Sequence, residues 1–144
     1  MPPGQSKMTI ETTQIQALEE KQFFQGQSVV KVIAIYPSAP AGSDIIVAVE
    51  LIDANGNLGN QRFMARCWLS DSATDPTLTA SAPTAFSNSS GSVVLQTVVS
   101  RKDLWMVSNS SGVCALTITS LASGTWYLWV SVGETIAVSS IVFP

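Results

Sequence analysis

Hydrophobic and polar positions alternate along much of the chain, most cleanly in two segments. Successive side chains of a β-strand point to opposite faces of the sheet, so alternation predicts a strand with one buried face. In residues 62–69 one face comprises Phe63, Ala65, Cys67 and Leu69, and the other comprises Arg62, Met64, Arg66 and Trp68. In residues 125–132 one face comprises Trp126, Leu128, Val130 and Val132, and the other comprises Tyr127, Trp129 and Ser131. In both segments we expect the first set to face the core.

Similar patterns elsewhere predict about eight strands from residue 28 to the end of the chain. The predicted strands span residues 29–36, 44–52, 62–69, 93–99, 104–107, 113–119, 125–132 and 136–143. Short strands at such regular spacing, separated by turn residues, are typical of an antiparallel β-sandwich. The predicted fold class is therefore all-β, with one sandwich domain over residues 28–144.

Two connections between these strands stand out. The segment Asp53-Ala54-Asn55-Gly56-Asn57 carries an Asn-Gly pair that favours a tight turn, and we interpret it as a hairpin. It also resembles the start of a calcium-binding loop, but the closing glutamate is missing. Residues 71–91 have no strong periodicity and predict one long loop, a length that is usually functional or disordered.

Residues 1–27 differ from the rest of the chain and form either a short helix or an extended arm. Ile15, Leu18 and Phe23 have loosely helical spacing, and Gly26 follows as a stop signal. The segment either packs on the domain or reaches a neighbouring subunit, with Phe23 and Phe24 as anchors. The N-terminus has no basic region followed by an apolar one, so we expect assembly in the cytosol without export.

The amino-acid composition argues against several classes of function. The 144 residues carry a net charge of −3, and only 12% of them are charged, about half the usual share of roughly 25%. This balance and the lack of a basic cluster argue against binding to nucleic acid. No apolar run approaches the roughly 20 residues that a membrane helix requires. The chain has no histidine, the commonest general base and metal ligand, so we expect neither an enzyme nor a cofactor.

The two cysteines both lie on predicted inward faces. Cys67 belongs to the strand over residues 62–69, and Cys114 to the strand over residues 113–119. A disulfide between the sheets is conceivable. Two buried thiols acting as small hydrophobic side chains are the favoured interpretation, because nothing else in the sequence indicates an oxidising compartment.

Two segments of the sequence resemble bacterial immunoglobulin-like domains of the invasin type. The first is IIVAVELIDANGN from Ile45, and the second is SGVCALTITS followed by ASGTWYL. The resemblance covers roughly residues 45–132. The antibody arrangement of Cys-Trp-Cys is absent, since Trp68 directly follows Cys67 and no tyrosine lies two residues before Cys114. The expected sandwich is therefore immunoglobulin-like, with a jelly roll as the alternative.

Domains of this kind with a short polar arm are similar to accessory proteins of tailed-phage particles. The resemblance implies a virion structural protein, specifically a capsid decoration (cement) protein that binds the outer shell and stabilises it by non-covalent contacts. Its partner would be the major capsid protein or another virion protein, and it would form a homo-oligomer, a dimer or trimer. The alternative is a tail-fibre or receptor-binding module that contacts a cell surface through residues 71–91.

The residues that we expect at such contacts combine arginine, methionine and aromatic side chains, which are enriched in interface cores. The candidate interface residues are Ile15, Leu18, Phe23, Phe24, Arg62, Met64, Arg66, Trp68, Tyr127 and Trp129.

Overall fold

A computed structural model describes residues 32–53, 55–59 and 61–144 of the chain. These residues form nine β-strands and no helix. The strands are β1 (Val32–Pro37), β2 (Asp44–Ile52), β3 (Met64–Ser70), β4 (Ala85–Ser89), β5 (Val93–Val99), β6 (Asp103–Val107), β7 (Val113–Thr119), β8 (Gly124–Val132) and β9 (Thr135–Phe143).

The strands form two antiparallel sheets, which confirms the predicted β-sandwich. The four-stranded sheet has the order β1-β2-β7-β4, and the five-stranded sheet has the order β5-β6-β3-β8-β9. The neighbours β1-β2-β7 and β3-β8-β9 take the places that strands A-B-E and C-F-G take in an immunoglobulin sandwich. The middle strands are connected differently, because the chain visits the four-stranded sheet for β4 before it returns to form β5 and β6.

The core lies between the sheets and is built from alternate residues of the inner strands. Val47 and Val49 of β2 face it from one sheet, and Leu128 and Val130 of β8 face it from the other, all fully buried. Burying such a side chain stabilises the fold by about 1.5–3 kcal/mol. The inward faces predicted for the strands around Cys67 and for β8 are thus the ones that the structure buries.

Cys67 and Cys114 are both buried in this core as free thiols. Removal from water penalises the charged thiolate, so burial raises the pKa of Cys114 to about 12. Burial also raises the pKa of Cys67 well above its ordinary value, and the neighbouring Cys114 and Asp103 add to the shift. At neutral pH both cysteines are protonated, small, apolar groups, as the sequence favoured.

Residues 71–91 were predicted as one loop, but they contain β4, so the strand count of eight is wrong by one. β4 pairs with β7 at the edge of its sheet. Only Phe86 among its five residues is buried, and the others are alanine, serine and asparagine. An edge strand with a single apolar anchor has no alternation to detect, which is why the pattern missed it.

The Asp53 turn forms as predicted and closes a short antiparallel bridge between Ile52 and Leu58, but it does not join β2 and β3 as a hairpin. Asp53 Oδ1 accepts hydrogen bonds from the backbone N–H groups of Asn55 and Asn57, both at 2.9 Å, and Gly56 has a φ of +84°. However, β2 pairs with β1 and β7, whereas β3 pairs with β6 and β8. The connection therefore crosses from one sheet to the other, because β2 and β3 cover opposite sides of the same core.

Several sequence predictions fall at or beyond the start of the described chain. Ile15, Leu18, Phe23 and Phe24 lie outside the described residues, as does the predicted start of the first strand at Val29. Within the described part, no helix has the length and apolar character needed to cross a membrane.

Candidate interaction surface

The outer face of the five-stranded sheet is unusually rich in aromatic and aliphatic side chains. The strand registers align its residues in cross-strand rows. One row runs Gln96, Trp105, Arg66, Ser131 and Ile136, and the next runs Val99, Asp103, Trp68, Trp129 and Val138. The solvent face of an antiparallel sheet is normally polar. Each of the three tryptophans on this face is therefore expected either to be covered within the chain or to be available for contact with another molecule.

Two of these tryptophans are already covered within the chain. The rings of Trp68 and Trp129 stack at 6.0 Å between centroids, with 17° between their planes. Trp68 Nε1 donates to the carbonyl of Pro76 at 2.9 Å, and Trp129 Nε1 donates to Ser70 Oγ at 2.8 Å. Trp68 points outward as predicted, but only 6% of it is exposed. Trp68 is therefore a packing residue of the outer face, while Trp129 is half-buried beside it.

Arg66 is held beside the same stack by a buried carboxylate. Its Nε and Nη2 atoms donate to Oδ1 and Oδ2 of Asp103 at 3.0 and 2.6 Å. The guanidinium carbon also lies 4.7 Å from the centroid of the Trp68 ring. Asp103 is 1% exposed, and the Arg66 side chain is 39% exposed. The hydrogen bond to Asp103 raises the pKa of Arg66, so the pair is a fixed, charge-neutral element of the face.

The loop that follows β3 closes one end of this face. The carboxylate of Asp71 accepts hydrogen bonds from the Thr79 hydroxyl and from the backbone N–H of Ala80. Thr79 in turn donates its backbone N–H to the carbonyl of Leu69 at 2.9 Å. The loop therefore folds back along the end of β3, where its Pro76 covers Trp68. Farther out, hydrogen bonds from Thr77 lower the pKa of the exposed Asp75 carboxyl.

The opposite end of the face is open. Met64 and Leu95 are 51% and 54% exposed, and with Gln96 and Trp105 they line a shallow groove of about 290 Å³. Leu95 and the next residue, Gln96, both lie on this side, because the register of β5 shifts between Val94 and Gln96. We call these four groove-lining residues the open groove. It is one part of the outer face on which a partner has unobstructed access to apolar side chains.

The ten candidate residues fall into four groups. Met64 is exposed in the open groove, whereas Arg66, Trp68, Tyr127 and Trp129 lie on the same face in partly or fully covered positions. Arg62 precedes β3, and its Nη1 donates to the carbonyl of Ser108 at 2.9 Å. The four candidates before residue 28 lie outside the described chain.

Sequence reasoning missed three residues that shape this surface. Trp105 points outward in β6, but the run Leu104-Trp105-Met106-Val107 is apolar throughout, so it contains no alternation that could assign its face. Leu95 could not be assigned to a face, because apolar residues of β5 occupy positions of both faces. Asp103 was read as part of a turn, but it is the first residue of β6 and pairs directly with Trp68 across the strands.

A second depression lies at the end of the sandwich where the β3–β4 and β7–β8 loops meet. Its volume is about 380 Å³, and its lining includes Ser81, Thr84, Leu121 and Trp126. Trp126 Nε1 donates to the carbonyl of Ser81 at 2.8 Å, so the polar edge of this ring is already engaged. Among the described residues, no three or more histidine, cysteine, aspartate or glutamate side chains cluster as metal ligands do.

Comparisons with known proteins return weak structural similarities. No protein-family model matches the chain, and no curated protein matches it. A β-glucuronidase from Parabacteroides merdae is 14% identical over 78% of this chain and 12% of its own, with a TM-score of 0.44. A β-glucuronidase from glycoside hydrolase family 2 is 13% identical over 77% and 11%, with a TM-score of 0.45.

The GAE domain of GGA2p from Saccharomyces cerevisiae is 10% identical over 79% of this chain and 94% of that domain, with a TM-score of 0.23. The chain thus spans only about an eighth of the length of the glucuronidases that it resembles. Similarities of this degree assign the chain to no family.

Proposed function

We propose that this chain is a non-catalytic virion structural protein, a decoration protein that binds the outer surface of a phage capsid. The observation that carries the proposal is the open groove, where exposed Met64 and Leu95 flank Trp105 on a sheet whose other face is fully packed. Methionine and tryptophan are enriched where proteins bind proteins. A rigid sheet presents them without the entropic cost of ordering a loop.

The surroundings of the open groove suit contact with protein. The ion pair of Arg66 with Asp103 leaves no unpaired charge at the centre of the face. The low overall share of charged residues, 12%, limits repulsion against a neighbouring protein surface. A groove that binds only the assembled shell would stabilise that shell by linkage, by about 2.7 kcal/mol per site when the free protein is at 100 times its Kd.

Replacing Met64 with lysine tests the proposal, because it places a charge in the groove without disturbing the core. We expect M64K to weaken binding to assembled shells at least tenfold, about 1.4 kcal/mol. Shells would be assembled from the major capsid protein encoded in the same genome, and binding measured by co-sedimentation. Ile46→Lys is the matched control, since Ile46 is similarly exposed at 48% but lies on β2, in the other sheet.

The binding data also separate the proposal from its competitors. If M64K, I46K and the unmodified chain bound assembled shells with equal affinity, the open groove would have no role in shell binding. Equal binding to shells and to unassembled capsid protein would contradict a decoration role.

The second candidate, a tail-fibre or receptor-binding module, draws on the depression beside Trp126. If the chain is such a module, the purified chain would bind cells or glycans and would not bind capsid shells. Substituting Leu121, which is 79% exposed at the rim of the depression, would then reduce cell binding, while M64K would not.

A further inference from the structure

The four edge strands of the sandwich differ in how well they are protected against pairing with another strand. Edge strands present unpaired main-chain groups, and proteins usually protect them with proline, charge, bulges or short length. β1 ends at Pro37, and β4 has only five mostly polar residues. β5 has two register shifts along its pairing with β6. Each of these three edges therefore carries one of the usual protections.

β9 carries none of them, although β1 of the other sheet approaches it closely without pairing with it. Its nine residues, TIAVSSIVF, include no charge, proline or glycine. It pairs with β8 without a register shift from Thr135 to Phe143, and among the described residues no strand pairs with its other side. Its outward side chains Ile136, Val138 and Val142 are 57%, 37% and 53% exposed. A long, regular, apolar edge of this kind is expected to pair with another strand.

The sequence of β9 is also complementary to itself in one antiparallel register. With Ser139 opposite its own copy across a two-fold axis, Ile136 lies opposite Val142 of the second copy, and Val138 lies opposite Ser140. The pairing uses all nine residues. Even-numbered residues lie opposite even-numbered ones, so every outward side chain stays on the outward face. No charged residue of β9 opposes its copy, so nothing in the strand repels self-pairing.

We propose that β9 joins two copies of this chain into a two-fold dimer with one continuous ten-stranded sheet. An isologous contact of this type closes on itself, so association stops at the dimer. Pairing of nine residues supplies about one main-chain hydrogen bond per residue, close to the roughly ten hydrogen bonds of a typical protein interface. The two outer faces then lie side by side, which presents two open grooves on the same side of the dimer.

Val138→Lys tests the dimer by placing a charge at the centre of the edge. We expect the full-length chain to have twice the 15.2 kDa monomer mass in light scattering at micromolar concentration. V138K should raise the dimer dissociation constant at least tenfold. Val98→Lys is the matched control, because Val98 is similarly exposed at 46% on the bulged β5 edge, and V98K should remain dimeric. A monomeric unmodified chain, or a V138K variant with unchanged mass, would overturn the proposal.

Cross-linking tests the register itself and does not depend on the lysine variants. A mixture of V138C and S140C chains should form an intermolecular disulfide on mild oxidation, because residues directly opposite each other lie within bonding reach. Either variant alone should cross-link at least tenfold less, because the two identical cysteines of such a dimer lie diagonally across the strands and not directly opposite each other. Equal cross-linking in all three samples, or none in the mixture, would overturn the Ser139-centred pairing.

These measurements need no capsid, so they are independent of the proposed function. A dimer that does not bind shells would support the β9 contact and contradict the decoration role. A monomer that binds shells would support the decoration role and contradict the β9 contact. Recruitment of a strand from a different protein to β9, with no self-association, would also overturn the proposed second copy.

Discussion

Replacing Arg66 with alanine is expected to lower the free energy of unfolding by about 2–4 kcal/mol. The substitution leaves the Asp103 carboxylate, which is 1% exposed, without its cationic partner. Removing one member of a fully buried ion pair costs about 3–5 kcal/mol. The lower range applies here because the Arg66 side chain is 39% exposed, and solvent screens part of the interaction. Urea denaturation at neutral pH measures the change.

Two further variants identify the cause of that loss. Arg62→Ala removes another arginine near the same face, but one that donates to a single carbonyl, of Ser108, so we expect a loss below about 1.5 kcal/mol. Combining Arg66→Met with Asp103→Leu removes both charges and should recover most of the stability, as apolar replacements of buried pairs often do. An R66A variant as stable as the unmodified chain would show that Asp103 does not depend on Arg66.

The second large effect is a loss of stability at alkaline pH caused by the two buried thiols. Burial raises the pKa of Cys114 to about 12 and raises that of Cys67 well above its ordinary value. Above the unfolded value of about 9, the unfolded chain releases both protons while the folded chain keeps them. Unfolding therefore releases protons, and rising pH favours it. The thiol contribution is fully present below pH 8 and is lost as the pH rises toward 12.

A buried thiol contributes a slope of up to about 1.4 kcal/mol per pH unit in this window, so Cys114 alone should cost about 2 kcal/mol between pH 9 and pH 11, and Cys67 adds to that loss. Denaturation of the unmodified chain and of a Cys67→Ala, Cys114→Ala double variant over this range measures the effect. All other side chains are common to both proteins, so the difference in slope isolates the thiols. Parallel stability curves would contradict burial of the two thiols in protonated form.

The sequence was most informative where strands alternate between core and solvent. The bounds of β2, β5 and β7 match the predicted strands, because turn residues flank each apolar run, and the inward positions of Cys67 and Cys114 follow from alternation in β3 and β7. Alternation reports which face of a strand is buried. It carries no information on which strand pairs with which, so the Asp53 turn was read as a hairpin although it crosses between sheets.

The candidate surface was only partly predictable, for a related reason. Met64 and Trp129 were placed on the outer face by alternation, but the covering of Trp68 depends on a loop that folds back from residues 71–80. Burial of Asp103 depends on Arg66, a neighbour from another strand that the local sequence cannot identify. Both features arise from contacts between segments distant in the chain, and only the three-dimensional structure brings those segments together.

The central claim is that this chain binds a protein shell through the outer face of its five-stranded sheet. Electron cryomicroscopy of shells saturated with the full chain tests it most directly. We predict that the chain lies on the outside of the shell, with Met64, Leu95 and Trp105 in contact with capsid subunits. A chain bound with that face toward solvent, or shells that carry no additional density, would contradict the claim.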